Sequence, residues 1–143
     1  MLKRIKIVIS TLCLGLLVGC TSSLSWDDNI KKDIELLKNN NFYAYVLNSK
    51  EDIQEYNEGT NKEIKQEGYN FTVKFVNVYN MIETETSVSD YIAFAELSTK
   101  EEAKNYFTFL NRENRMYKIY ISGTIVIHTT SVKATELLNY KFK

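Results

Sequence analysis

The chain has 143 residues, 18 basic and 18 acidic, for a net charge of zero, with one His, two Cys and no Pro. Three of the basic residues fall in the first six positions, and the 15 basic and 18 acidic residues that follow make a mildly acidic chain, which argues against a nucleic-acid partner. Five scattered Gly and the lack of any GK[ST] or GxGxxG pattern argue against a phosphate-cradling enzyme.

Lys3, Arg4 and Lys6 precede thirteen uncharged residues, Ile7 to Gly19 (IVISTLCLGLLVG), and the TSSLS that follows Cys20 is polar. A spanning helix needs about 20 apolar residues, so this run is too short to cross a bilayer comfortably. A basic start, a short apolar middle and small residues at a junction make a secretory signal peptide, which removes residues 1–19 from the fold. The junction itself, Leu17-Val18-Gly19-Cys20, resembles the lipobox of bacterial lipoproteins. The resemblance implies that the Cys20 thiol receives a diacylglyceryl group, that the leader is cut before it, and that Cys20 begins a protein lipid-anchored on the extracytoplasmic face of the cell membrane. Two acyl chains, at about 0.8 kcal/mol per buried methylene, make such an anchor long-lived. Thr21 stands where an Asp would resemble an inner-membrane retention signal, so a cell with two membranes is free to sort the protein outward. The resemblance covers the leader alone, and no family is recognised for the remainder.

Without residues 1–19 the chain keeps 124 residues, enough for one domain with a real core. The excised part carries three basic residues and no acid, so the mature charge is −3. Cys13 lies in the leader and Cys20 is expected to be acylated, leaving no thiol for a disulfide, a nucleophile or zinc. All ten Tyr and seven Phe lie in the mature part, and a core without disulfides is plausible on that aromatic content. The expected organisation is a signal peptide at 1–19, a tether with the lipidated cysteine at 20–25, and a single α+β domain at 26–143.

Trp26 either sits at the lipid interface or packs on the first helix. Asp27 to about Asn39 has Ile30, Ile34 and Leu37 at helical spacing, with acids early and Lys38 late, and ends at an Asn39-Asn40-Asn41 run. Phe42 to Leu47 (FYAYVL) reads as a strand. Ser49 can cap a weaker helix over Lys50 to Gln66, with Gly59 in its middle. Asn70 to Ile82 is a long strand, bent near Asn77, with Phe71, Val73 and Phe75 on one face by alternation. After a polar connection over 83–90, Tyr91 to Leu97 (YIAFAEL) suits an interior strand covered on both faces.

Ser98 to Glu101 has the pattern of a capping box, with Ser98 as the cap, and opens a helix whose apolar face is Ala103, Tyr106, Phe107 and Leu110. Ser122-Gly123 divides Met116 to Ile121 from Thr124 to Thr129 as a tight hairpin. A last helix, capped by Ser131, runs from Val132 to about Tyr140. The order α, β, α, β, β, α, β, β, α contains βαββαβ. The expected architecture is therefore an antiparallel sheet with helices on one face, a ferredoxin-like core with an extra N-terminal helix and an extra C-terminal strand and helix.

Candidate chemistry is sparse. His128 is expected to stand opposite Tyr117 as a cross-strand packing partner, on the face of Ile119 and Val126. A general base would need a nucleophile or orienting acid close by, and neighbouring sequence offers neither. Glu83, Glu85 and Asp90 are the only grouping with the look of a cation site, though the spacing is not that of an EF-hand. Phe71, Phe75, Phe94 and Phe107 are expected in the core, and Tyr43, Tyr45, Tyr79, Tyr117 and Tyr120 on the surface. The reading is a non-enzymatic, cofactor-free binding or interaction module on the membrane, with an envelope protein or cell-wall component as partner. Its alternatives are a small envelope hydrolase or small-molecule carrier, and a structural protein that self-associates through a sheet edge.

Overall fold

The computed structural model describes residues 26–47, 49–85, 90–112 and 116–143. The expected signal peptide, the lipobox with Cys20, the tether and residues 86–89 of the polar connection lie outside the described residues. The described chain is one small α+β domain with a five-stranded, wholly antiparallel sheet and four helices.

In chain order the elements are α1 (Asp28–Lys38), β1 (Phe42–Leu47), α2 (Lys50–Gln66), β2 (Phe75–Glu83), β3 (Tyr91–Leu97), α3 (Lys100–Leu110), β4 (Lys118–Ser122), β5 (Ile125–Thr129) and α4 (Val132–Leu137). Asp27 caps α1 by accepting from the amides of Asn29 and Ile30. The chain leaves α1 through Asn41, which takes φ 67°, a left-handed conformation that Asn tolerates. Ser49 and Asp52 form the capping box of α2. At α3 the cap is Thr99, one residue later than expected, because the Ser98 amide still donates to the carbonyl of Lys74, the residue before β2.

The sheet order is β1-β2-β3-β5-β4. The βαββαβ succession is present, but its pairing differs from a split ferredoxin-like arrangement. β1 and β2, joined through α2, are direct antiparallel neighbours with no strand between them. The helices also differ from expectation, since they divide between the two faces. On one face α1 and α4 bury Ile30, Ile34, Leu37 and Ala134 against Tyr79, Met81, Ile92, Phe94 and Ile127, with Trp26 closing one end. On the other, α2 and α3 bury Ile64, Ala103, Tyr106, Phe109 and Leu110 against Val78, Ala95, Ile119 and Val126. Each fully buried Phe, Leu or Ile contributes roughly 1.5–3 kcal/mol of transfer free energy, so both layers carry substantial stability. The nearly continuous apolar run of β3 is the physical reason: a strand buried on both sides needs cover on both.

β2 carries a register shift between Phe75 and Asn77, where the bend was expected. The extra residue reverses the alternation. Phe71, Val73 and Phe75 therefore pack under α2 and α3, whereas Tyr79 and Met81 turn to α1. Tyr79, expected at the surface, is 6% exposed for this reason.

The β1–β2 pairing ends at Leu47 and Val78, so the backbone of residues 73–75 has no β1 neighbour on that side. Two side chains of α2 take its place. Asn57 Nδ2 donates to Phe75 O and its Oδ1 accepts from Phe75 N, while Asn61 does the same with Val73. Residues four apart on a helix thus serve residues two apart on an extended chain. At the opposite side of the sheet, Lys143 exchanges two backbone hydrogen bonds with Ile119 and covers the outer edge of β4.

Candidate functional site

The hairpin of β4 and β5 turns at Gly123-Thr124, one residue past the expected position. Gly123 takes φ +61° and Thr124 does not take a positive φ, the sign pattern of a type II′ turn with Gly first. The register moves by two residues, so His128 stands opposite Ile119 rather than Tyr117 and keeps its expected face. The Tyr117 ring still reaches it, with centroids 5.4 Å apart.

With that register fixed, one row runs across the sheet on the side of α2 and α3: Tyr45, Asn80, Ala93, His128, Ile119. Its middle residue is Ala93, which is too small to fill the space between the two helices. An open cleft of about 370 Å³ results, lined by Tyr45, Asn80, Met81, Ile82, Ala93, His128, Tyr56 of α2 and Tyr91 of β3. Tyr45, Asn80 and Tyr56 also border a second hollow of about 520 Å³, which continues along α2 past Asp52, Glu55, Gly59, Thr60 and Glu63. The two hollows adjoin at Tyr45, Tyr56 and Asn80, the first mainly apolar and the second bordered by carboxylates.

His128 anchors the apolar half. Tyr91 Oη lies 3.4 Å from its Nδ1 and Tyr106 Oη 3.2 Å from its Nε2. Tyr106 Oη in turn lies 3.4 Å from Tyr56 Oη. A hydroxyl can donate or accept, so either neutral tautomer satisfies both imidazole nitrogens. Burial raises the pKa of Tyr106 well above the ordinary tyrosine range, with the neighbouring Tyr56 adding to it. Burial likewise raises Tyr56, so both hydroxyls stay protonated at neutral pH. With its two nitrogens occupied by hydroxyls, His128 is a fixed part of the cleft floor. This agrees with the packing role expected for it and extends it to holding Tyr91 and Tyr106 in place.

Asn80 supplies the polar contrast. Its Oδ1 is buried and has no hydrogen-bond partner, although the residue borders both hollows. A buried acceptor left unpaired costs about 1–3 kcal/mol, so Asn80 sits at this position at the expense of stability.

The acidic grouping behaves differently. Glu83 is 6% exposed, on the α4 side, and its carboxylate accepts from Ser131 Oγ at 2.5 Å. Glu85 is ion-paired with Lys133 and accepts from Asn41 Nδ2 at 2.5 Å. These two contacts, Lys133 first, lower its pKa. Asp90 uses its backbone carbonyl to accept from Glu83 N. The three acids serve as links between β2, the polar connection and α4, and no cluster of three or more metal-ligating side chains occurs among the described residues.

Of the tyrosines expected at the surface, Tyr43 and Tyr45 are 70% and 59% exposed. Tyr120 is half-buried, stacked on Tyr140 with centroids 4.3 Å apart. Sequence reading singled out Tyr45 and His128 but missed Tyr56, Asn80, Tyr91 and the α2 carboxylates. The available signals were a lone Asn inside the apolar VYNMI of β2 and two small residues, Ala93 and Ala95, in β3. Neither identifies a cleft until the register joins them.

Comparison with protein-family models, curated proteins and solved structures returns no match for this chain. No helix among the described residues is long and apolar enough to cross a membrane.

Proposed function

We propose that the protein is a bacterial lipoprotein, held by acylated Cys20 on the extracytoplasmic side of the cell membrane, and that its domain is a non-enzymatic binding module whose ligand occupies the cleft over Ala93. One observation carries the reading: an open depression lined by five tyrosine, histidine and asparagine side chains, Tyr45, Tyr56, Tyr91, His128 and Asn80, from five separate elements. Aromatic walls with a few convergent polar groups are the usual form of a small-ligand site. His128 supports a binding role over catalysis, because both ring nitrogens already face tyrosine hydroxyls. The lipobox and the short tether support the location.

Crosslinking in intact cells, with Cys20→Ala alongside and a mass measurement on membrane-extracted protein, tests both halves. The expected result is an acyl mass on wild type only, and a reproducible adduct that Cys20→Ala loses along with membrane retention. Wild type without acyl mass overturns the anchor, and the lack of any reproducible adduct overturns the binding role.

A second reading, self-association, has one supporting observation. Among the described residues nothing pairs with the outer edge of β1, whose Tyr43 and Tyr45 are exposed. An unprotected edge strand can pair with a second copy. Its signature is a mass that rises with concentration in sedimentation, and a constant monomer mass removes it.

A further inference from the structure

We propose that two copies of the protein pair β1 against β1 about a two-fold axis at Ala44, joining two five-stranded sheets into one. The partner's Tyr43 then stands beside Tyr45 at the rim of the cleft. The inference rests on the self-association reading and assigns its geometry.

The ladder of the sheet fixes which backbone groups of β1 face outward. Thr84 N donates to Asn41 O on the β1 side of β2, and Glu83 N donates to Asp90 O on the β3 side. Hydrogen-bonded pairs alternate along an antiparallel ladder, so Tyr43 and Tyr45 are the β1 residues that bond to Ile82 and Asn80. The amides and carbonyls of Phe42, Ala44 and Val46 therefore point away from β2, and among the described residues no strand takes them. A two-fold axis at Ala44 sets Ala44 against the partner's Ala44 and Phe42 against the partner's Val46, which pairs every outward group. An axis one residue away, at Tyr43 or Tyr45, leaves Val46 or Phe42 without a strand residue opposite.

Three observations make a second copy the occupant of this edge. First, β1 (FYAYVL) has no charge and its register with β2 no bulge, so it lacks the usual guards of an edge strand. The opposite edge, β4, is covered by Lys143, so pairing closes at two copies. Second, the axis at Ala44 sets Tyr43 against the partner's Tyr45 and Tyr45 against the partner's Tyr43. Both tyrosines are largely exposed, and they meet in the closely spaced, non-hydrogen-bonded position where aromatic pairs stabilise a sheet. Third, the two-fold axis of an antiparallel pair is perpendicular to the sheet, so each face of one copy continues into the same face of the other. Both Trp26 residues, packed with α1, then lie on one side and both clefts on the other. Cys20 stands six residues before Trp26, a reach of about 20 Å. Two acylated copies therefore enter one bilayer from the same face, with their clefts directed away from it.

The test is sedimentation equilibrium of the full chain in density-matched detergent. Wild type is expected to rise from monomer to dimer mass with concentration and to stop there. Ala44→Pro removes an outward N–H that the β1–β2 ladder does not use, and should weaken dimerisation at least roughly tenfold. Two double variants at the exposed tyrosines leave the core untouched and read the register. Tyr43→Glu with Tyr45→Glu sets like charges opposite each other and should weaken dimerisation at least roughly tenfold. Tyr43→Lys with Tyr45→Glu sets opposite charges there and should keep it within roughly fivefold of wild type. A dimer untouched by Ala44→Pro and by the paired Glu variant overturns the β1 axis while leaving self-association standing. Equal weakening by the two tyrosine variants overturns the register, and masses beyond the dimer overturn the closed pairing. A constant monomer mass removes self-association and this assignment together.

Discussion

Asn61→Ala removes one of the two helix side chains that replace β1 beside residues 73–75. In the native protein Asn61 Oδ1 accepts from Val73 N at 2.8 Å and Nδ2 donates to Val73 O at 2.8 Å, with a further bond to Asn57 O. Val73 is 2% exposed, so water cannot take over these roles without opening the α2 contact. Two lost bonds at about 1 kcal/mol each, with a penalty for leaving the backbone pair unsatisfied, outweigh the gain of about 0.5 kcal/mol from replacing Asn by Ala in a helix. The expected cost is about 2 kcal/mol, or roughly 10 °C in Tm.

Asn61→Asp separates the donor from the acceptor. The introduced carboxylate still accepts from Val73 N but sets a second oxygen against Val73 O. Its charged form is disfavoured in the folded state, so its folded pKa rises above the unfolded value of about 3.9. The cost is therefore complete above the folded pKa and shrinks as pH falls through it, because the protonated carboxyl can donate to Val73 O. Urea unfolding followed by circular dichroism at pH 7 and pH 3.5, each referenced to wild type at the same pH, measures both effects. A cost under about 0.5 kcal/mol for Asn61→Ala, or an Asn61→Asp penalty independent of pH, refutes the ladder.

Three further outcomes follow from local geometry. Gly68 has φ +84° and Gly59 has no positive φ, and a Cβ would meet nothing within 4 Å at either. Gly59→Ala should therefore stabilise by about 0.5–1 kcal/mol and Gly68→Ala destabilise by about 1–2 kcal/mol, opposite signs that thermal unfolding reads directly. Thr99→Ala should cost about 1 kcal/mol through loss of its bond from Glu102 N, and Ser98→Ala markedly less, in urea unfolding. Burial raises the pKa of Tyr56 and Tyr106, so above about pH 10 the unfolded chain loses protons that the folded chain keeps, and stability falls as pH rises. Tyr106→Phe should lessen that fall by about 1.4 kcal/mol in all between pH 9 and 11, measured as urea midpoints.

Much of the local structure was legible because it depends on local pattern. β1, α2 and β3 have the boundaries that alternation, the Ser49 cap and the apolar run indicate. What the pattern could not show is anything that depends on pairing. Helical spacing tells which side of α1 is apolar, yet it says nothing about which face of the sheet α1 covers. Tyr79 was misplaced because the bulge at Phe75 and Asn77 reverses the alternation before reaching it. The α3 cap moved to Thr99 because a distant carbonyl, Lys74 O, claims the Ser98 amide. Asn57 and Asn61 look like solvent-facing helix residues until the loss of β1 beside residues 73–75 gives them partners. The site is the extreme case, since the row Tyr45, Asn80, Ala93, His128 exists only once three strand registers are fixed. The role proposed for Cys20 rests on the lipobox letters alone, because it lies outside the described residues.

The central claim is that the anchored domain binds its ligand in the cleft over Ala93. The most direct measurement places a photoreactive phenylalanine analogue at Tyr45, which borders both hollows, and at Leu36 of α1, 39% exposed on the other side of the sheet. Irradiation of intact cells carrying the full acylated chain, followed by mass spectrometry, is expected to give a reproducible adduct from position 45 that is absent from position 36. No adduct at 45, or the same adduct from both positions, contradicts the account.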